Sequence, residues 1–154
     1  MSLSNQMNLA IKLDDQATFD NFYAPKGSSQ QLATFLLQQS IHKIACLVGN
    51  SGAGLSHLLQ AVCQRSPFET AGDAIYLPLM DLQDYPAQKV LEGLETASLV
   101  CLDDLHGVAN RQDWQVPLFN FFNDCRQSGT RLIFSSHQLL EDIGIQLPDL
   151  LSRL

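Results

Sequence analysis

Ile44-Ala45-Cys46-Leu47-Val48-Gly49-Asn50-Ser51-Gly52-Ala53-Gly54-Leu55-Ser56-His57 is the stretch whose reading decides the fold. Its first five residues are apolar without alternation, the pattern of a strand buried on both faces of a sheet. A glycine-rich loop follows. Leu58, Leu59, Val62 and Cys63 then recur at helical spacing. A strand, a glycine-rich loop and a helix in that order point backbone N–H groups, and the positive end of the helix, at a bound phosphate. Gly49, Gly52 and Gly54 fall where a Walker A loop needs them, and Ser56 falls at its magnesium-binding hydroxyl. Leu55 stands where such a loop carries lysine, so the cation that neutralises the outer phosphates is missing. Taken alone, the segment is also readable as a structural tight turn.

A second motif weighs against the turn. Ser98-Leu99-Val100-Cys101-Leu102 is another apolar strand, and it ends in Asp103-Asp104. Parallel sheets bind ligands at the carboxyl ends of their strands, where these two acids stand. Asp103 matches the magnesium-associated position of a Walker B motif, and Asp104 matches the water-activating position. The plain alternative is two solvated acids at a strand end. Further out, Ala74-Ile75-Tyr76-Leu77, closed by Pro78, and Arg131-Leu132-Ile133-Phe134-Ser135 read as strands. Leu32, Phe35 and Leu36 mark a helix entered through Gly27-Ser28-Ser29. Val90, Leu91 and Leu94 suggest a short helix. Trp114, Leu118, Phe121, Phe122 and Cys125 mark a long one, closed by Gly129. Pro148-Asp149 opens a last short helix. Apolar strands alternating with helices predict an α/β domain, a parallel sheet with helices on both faces.

The chain has 154 residues, enough for one domain with a real core. Charged residues make up 16%, and the formal net charge is -7. That acidity argues against direct DNA binding by this domain, because it repels a phosphate backbone. No apolar run has membrane-spanning length and the N-terminus carries no signal pattern, so a soluble cytoplasmic protein without membrane contact is expected. Cys46, Cys63, Cys101 and Cys125, and His42, His57, His106 and His137, show no metal-ligand spacing. The cysteines read as small buried hydrophobes.

The motifs together resemble the DnaA family of AAA+ proteins, and within it the regulatory Hda branch. The resemblance covers about residues 6–154. It is carried by Thr18-Phe19-Asp20-Asn21-Phe22 ahead of the loop, Gly54-Leu55-Ser56-His57-Leu58-Leu59-Gln60-Ala61, the Asp103-Asp104 strand end, Leu91-Glu92-Gly93-Leu94, Ala109 to Phe122 with Trp114, and Leu147-Pro148-Asp149-Leu150-Leu151-Ser152-Arg153-Leu154. It implies a P-loop AAA+ (ASCE) nucleotide-binding core with the strand order 1-4-3-2. The sequence stops at Leu154, ahead of the fifth strand and helical lid of the family, which would leave the first strand as an edge open to self-association. The domain reading is a flexible tail over 1–16 and an AAA+ subdomain, lid absent, over 17–154.

For the site, the resemblance implies ADP or ATP with Mg2+, contacted by Phe22 and Tyr23 near the adenine and by Gly49, Asn50, Ser51, Gly52, Ala53, Gly54, Leu55, Ser56 and His57. Ser56 and Asp103 would hold the metal and Asp104 would activate water. Arg153 would be an arginine finger acting on a neighbouring subunit's nucleotide. Gln6-Met7-Asn8-Leu9-Ala10-Ile11 resembles the peptide by which such proteins grip the DNA sliding clamp, with Gln6, Met7, Leu9 and Ile11 as anchors. Ala10 replaces that peptide's proline. The implied partners are DnaA and the clamp. Leu55 implies weak nucleotide binding with little intrinsic hydrolysis. His137 stands where the family carries an aspartate in its sensor segment. A regulator of replication initiation is the leading expectation, and a DnaA-like ATPase or initiator-related protein is the alternative.

Overall fold

The computed structural model describes residues 13–39, 44–65 and 74–139. In chain order these form α1 (Ser29–Gln39), β1 (Ile44–Val48), α2 (Leu55–Arg65), β2 (Ala74–Pro78), α3 (Leu79–Leu82), α4 (Ala87–Leu91), β3 (Leu99–Asp103), α5 (Gln112–Ser128) and β4 (Arg131–Ser136), with 3₁₀ turns at Leu94–Thr96 and Leu105–Gly107. The four strands are parallel in the order β1-β4-β3-β2, as the resemblance implied.

Period-two alternation along the central strands divides the core into two layers. Val100 and Leu102 of β3, with Leu132 and Phe134 of β4, face Trp114, Leu118, Phe122 and the α4 side chains. Leu99, Cys101 and Ile133 face the other way, onto Leu37 of α1 and Leu58, Leu59, Val62 and Cys63 of α2. Both faces are covered, which is why these strands read as unbroken apolar runs.

The helix boundaries follow local chemistry. Ser28 caps α1 by accepting the Gln31 N–H at 3.1 Å, and Gln31 Oε1 reaches back to the Gly27 N–H at 2.7 Å, a variant of the capping box. Gly129, at φ +79°, closes α5 by donating its N–H to the Cys125 carbonyl at 2.9 Å. The single short helix expected around Val90 to Leu94 is broken at Gly93: α4 stops at Leu91, and the chain re-enters a 3₁₀ turn at Leu94.

The N-terminal boundary differs from expectation. Leu13 to Gln16, counted with the tail, are held on α2. Leu13 packs into the α2 layer. The Asp14 N–H donates to Gln60 Oε1 at 2.7 Å, and Gln64 Nε2 donates to the carbonyls of Asp14 and Ala17 at 2.7 and 3.0 Å. Two polar side chains one turn apart on α2 thus tie down the entering backbone, a signal that hydropathy does not carry.

Candidate nucleotide site

The site is the rim formed by the carboxyl ends of β1, β4 and β3. β1 leads into the loop, whose backbone turns with the Ala53 N–H bonded to the Asn50 carbonyl at 3.0 Å. Gly52 and Gly54 hold φ of +91° and +87°, which L side chains rarely adopt. The first N–H groups of α2, from Leu55 to His57, have no upstream helical partner, as at every helix start. They and the helix dipole form a cradle for an anion. The Gly49 N–H is anchored to the Ser136 carbonyl of β4 at 3.2 Å.

Leu55 is turned into the protein. It is 7% exposed, and a Cβ built on Gly49 would meet its methyl carbons at 3.6 and 3.9 Å. Its side chain packs against the loop as a buried hydrophobe.

Phe22 and Tyr23, expected near the base, separate. Phe22 is half-buried against the loop, its ring 5.2 Å from that of His57, and a Cβ on Gly54 would lie 2.5 Å from its edge. His57 Nε2–H donates to the Thr18 carbonyl at 2.6 Å, stapling the entry segment to α2. His57 therefore holds the loop's neighbour in place. Tyr23 is 83% exposed.

The two acids have different surroundings. Asp103 is 1% exposed. Its Oδ1 accepts from the Ser135 hydroxyl and its Oδ2 from the Tyr76 hydroxyl. Burial and the neighbouring Asp103 push the Tyr76 phenol far above its ordinary range, and a hydrogen bond to Ser56 pulls the other way. The Asp103 carboxylate therefore joins the Tyr76 and Ser135 hydroxyls. The Ser135 hydroxyl also accepts the Asp104 N–H at 2.8 Å. Asp104 sits in the left-handed region at φ 59°. Its Oδ1 is buried without a hydrogen bond, and His137 Nε2 lies 3.5 Å away. His137 Nδ1–H donates to the Gly49 carbonyl at 2.9 Å, and the His137 N–H donates to His106 Nδ1 at 3.2 Å. His137 thus bridges the loop and the acid. With Nδ1–H committed to a carbonyl, a neutral imidazole turns a lone pair toward Asp104. Burial first, then Asp103, raise the Asp104 pKa, while His106 and His137 lower it.

The magnesium ion expected between Ser56 and Asp103 does not fit this arrangement. Both oxygens of Asp103 already accept protein hydroxyls, from Ser135 and Tyr76, and the residue is 1% exposed, so a metal-bound water has no open path to the carboxylate. Among the described residues, no group of three or more His, Cys, Asp or Glu side chains could hold a metal. Tyr76, Ser135 and His106 were not singled out from sequence. Tyr76 and Ser135 reach Asp103 from neighbouring strands, and His106 lies in the 3₁₀ turn that follows Asp104. Arg153, Gln6, Met7, Leu9, Ile11 and the helix expected at Pro148 lie outside the described residues. No described helix is long and apolar enough to cross a membrane.

No family model matches the chain. Among solved structures, a DNA replication initiation factor superposes with a TM-score of 0.80 at 21% identity, over 92% of this chain and 47% of its own. AMPPCP-bound DnaA from Aquifex aeolicus gives 0.76 at 22% identity, over 92% and 48%. A DnaC helicase loader gives 0.65 at 18% identity, over 90% and 91%. The chain spans about half the length of the first two. The shared element order, the parallel 1-4-3-2 sheet and the loop between β1 and α2 make this an α/β domain with the AAA+ P-loop fold of DnaA and DnaC.

Proposed function

We propose that the chain is the nucleotide-binding core of an Hda-like regulator of replication initiation. Its own nucleotide, ADP in preference to ATP, is a weakly held structural ligand. Residues 6–11 grip the sliding clamp, and Arg153 acts on ATP bound to DnaA. The observation that carries the nucleotide part is the loop itself: a phosphate cradle at the start of α2 whose lysine position is filled by an inward-facing Leu55. Such a cradle offers amide dipoles but no cation, so it suits fewer phosphate charges. The water-activating position, Asp104, is turned to His137, which favours a regulator over the alternative of a DnaA-like ATPase.

Calorimetric titration with ADP and ATP tests the ligand. Leu55→Lys is expected to tighten binding by about tenfold, about 1.4 kcal/mol, with circular dichroism unchanged. Tight, equal binding by the parent would mean that the backbone cradle suffices. Single-turnover hydrolysis at a rate typical of ATPases would favour the enzyme reading. The partner roles share one assay, ATP hydrolysis by DnaA with the chain captured on immobilised clamp. Replacing Gln6 and Leu9 with alanine is expected to abolish capture, and Arg153→Ala to abolish stimulation while capture persists. Stimulation retained by Arg153→Ala would exclude the finger.

A further inference from the structure

We infer that Tyr76 closes the metal position of this site, so that the loop takes a nucleoside diphosphate without a divalent cation. The inference rests on the nucleotide reading above and goes beyond it by naming the ionic form of the ligand. It also sets aside the expected Mg2+.

Three observations carry it. The Tyr76 hydroxyl donates to Asp103 Oδ2, the carboxylate oxygen on the β2 side, while Ser135 engages Oδ1. Asp103 is 1% exposed, so neither a metal ion nor its water shell has access to the lone pairs that remain. The Ser56 hydroxyl, the other expected ligand, lies close enough to the same phenol to pull its pKa down against the effect of burial. The phenol therefore takes the Asp103 oxygen on which a cation would draw. Tyr76 is held there by register: in the β2–β3 ladder it lies opposite Cys101, and Pro78 lies opposite Asp103. The phenol ring spans that offset toward the strand end. Asp103 is then a structural acceptor that fixes Tyr76 and Ser135. Such an acceptor keeps its value only while both donors stay in place.

The experiment is a calorimetric titration of the full chain with ADP, once in Mg2+ and once in EDTA. It is paired with water-proton relaxation during a titration with Mn2+ alone. The wild type is expected to bind ADP equally in both buffers and to show no Mn2+ enhancement that Asp103→Asn removes. Tyr76→Phe, which keeps the ring and frees Oδ2, is expected to bind ADP about tenfold more tightly in Mg2+ than in EDTA and to gain an Asp103-dependent Mn2+ signal. Wild-type affinity that falls about tenfold on chelation overturns the inference. So does an Asp103-dependent Mn2+ signal in the wild type, or a Tyr76→Phe variant no more responsive to either ion than its parent. Absence of ADP binding in both buffers refutes the nucleotide reading instead, and the Mn2+ arm still decides the role of Tyr76. The wild-type arms alone suffice if Tyr76→Phe fails to fold.

Discussion

At the scale of single residues, the site is a set of polar groups whose partners are nearly all internal, and Asp104 is the exception. Its Oδ1 is buried without a hydrogen bond beside a histidine whose other nitrogen is committed to Gly49. The native state raises its pKa above the ordinary 3.8, through burial first and Asp103 second. The native carboxyl therefore holds its proton more tightly than the unfolded one. Its contribution to stability is complete below about pH 3.8 and is lost as the pH climbs through the raised native value. Asp104→Asn keeps the shape, cannot ionise and offers an N–H to His137 Nε2. The variant is expected to melt above the wild type at pH 7 and to converge with it toward pH 4 (about the ordinary carboxyl pKa). Equal melting temperatures throughout would mean that the carboxylate is already compensated. This residue was legible in the sequence because it ends an apolar strand with a second acid beside it. Leu55 was legible as a missing cation, though not as a side chain that turns inward. Tyr76 was not legible, because a tyrosine in an apolar strand is ordinary and only strand pairing carries its hydroxyl to Asp103.

At the scale of elements, strand, loop and helix starts were read from hydropathy and glycine placement with small errors. The misses occur where polar side chains or a left-handed glycine, and not apolar periodicity, decide the backbone. Gln60 and Gln64 dock residues 13–17, and Gly93 splits the expected helix. Pro117 lies inside α5 without the N–H that would have met the Asp113 carbonyl, and the helix continues past it. The phosphate loop depends on such local detail. Gly52 and Gly54 share a positive φ, but a Cβ at Gly52 meets nothing within 4 Å, whereas one at Gly54 meets the Phe22 ring at 2.5 Å. Gly52→Ala is therefore expected to cost only backbone strain, about 1 kcal/mol. Gly54→Ala should cost more, about 2–4 kcal/mol, since strain and displacement of Phe22 add. Chemical denaturation of both variants checks the order. In the cycle with Phe22→Ala, the Gly54→Ala penalty is expected to shrink toward that of Gly52→Ala. A penalty unchanged without the ring would mean that Phe22 yields freely and does not brace the loop.

At the scale of the whole molecule, the sheet is unevenly finished. β3 and β4 are flanked on both sides, but β1 pairs with β4 alone and presents its other edge without a neighbour among the described strands. The surface beside that edge is apolar. Leu32 is 59% exposed and Val48 42%, and Phe35 and Leu36 are exposed as well. A cavity of about 220 Å³ lies between α1 and β1, lined by Leu32, Ala33, Leu36, Leu37, Ala45 and Leu47. The 1-4-3-2 order that produces this edge came from the resemblance, because hydropathy alone does not order strands. An edge of open N–H and C=O groups beside exposed leucines pairs readily with another chain. The net charge of -7 opposes that association at long range. Salt removes the repulsion and leaves the apolar attraction. The 154-residue chain is therefore expected to self-associate with a mass, by light scattering, that rises both with concentration and with added salt. Leu32→Lys places a charge on the exposed rim of the groove without disturbing the core, and should hold the chain monomeric under the same conditions. Association that weakens with salt would assign it to charge pairs elsewhere on the surface. A wild type that stays monomeric, with slow amide exchange along residues 44–48, would show that another part of the chain already covers β1.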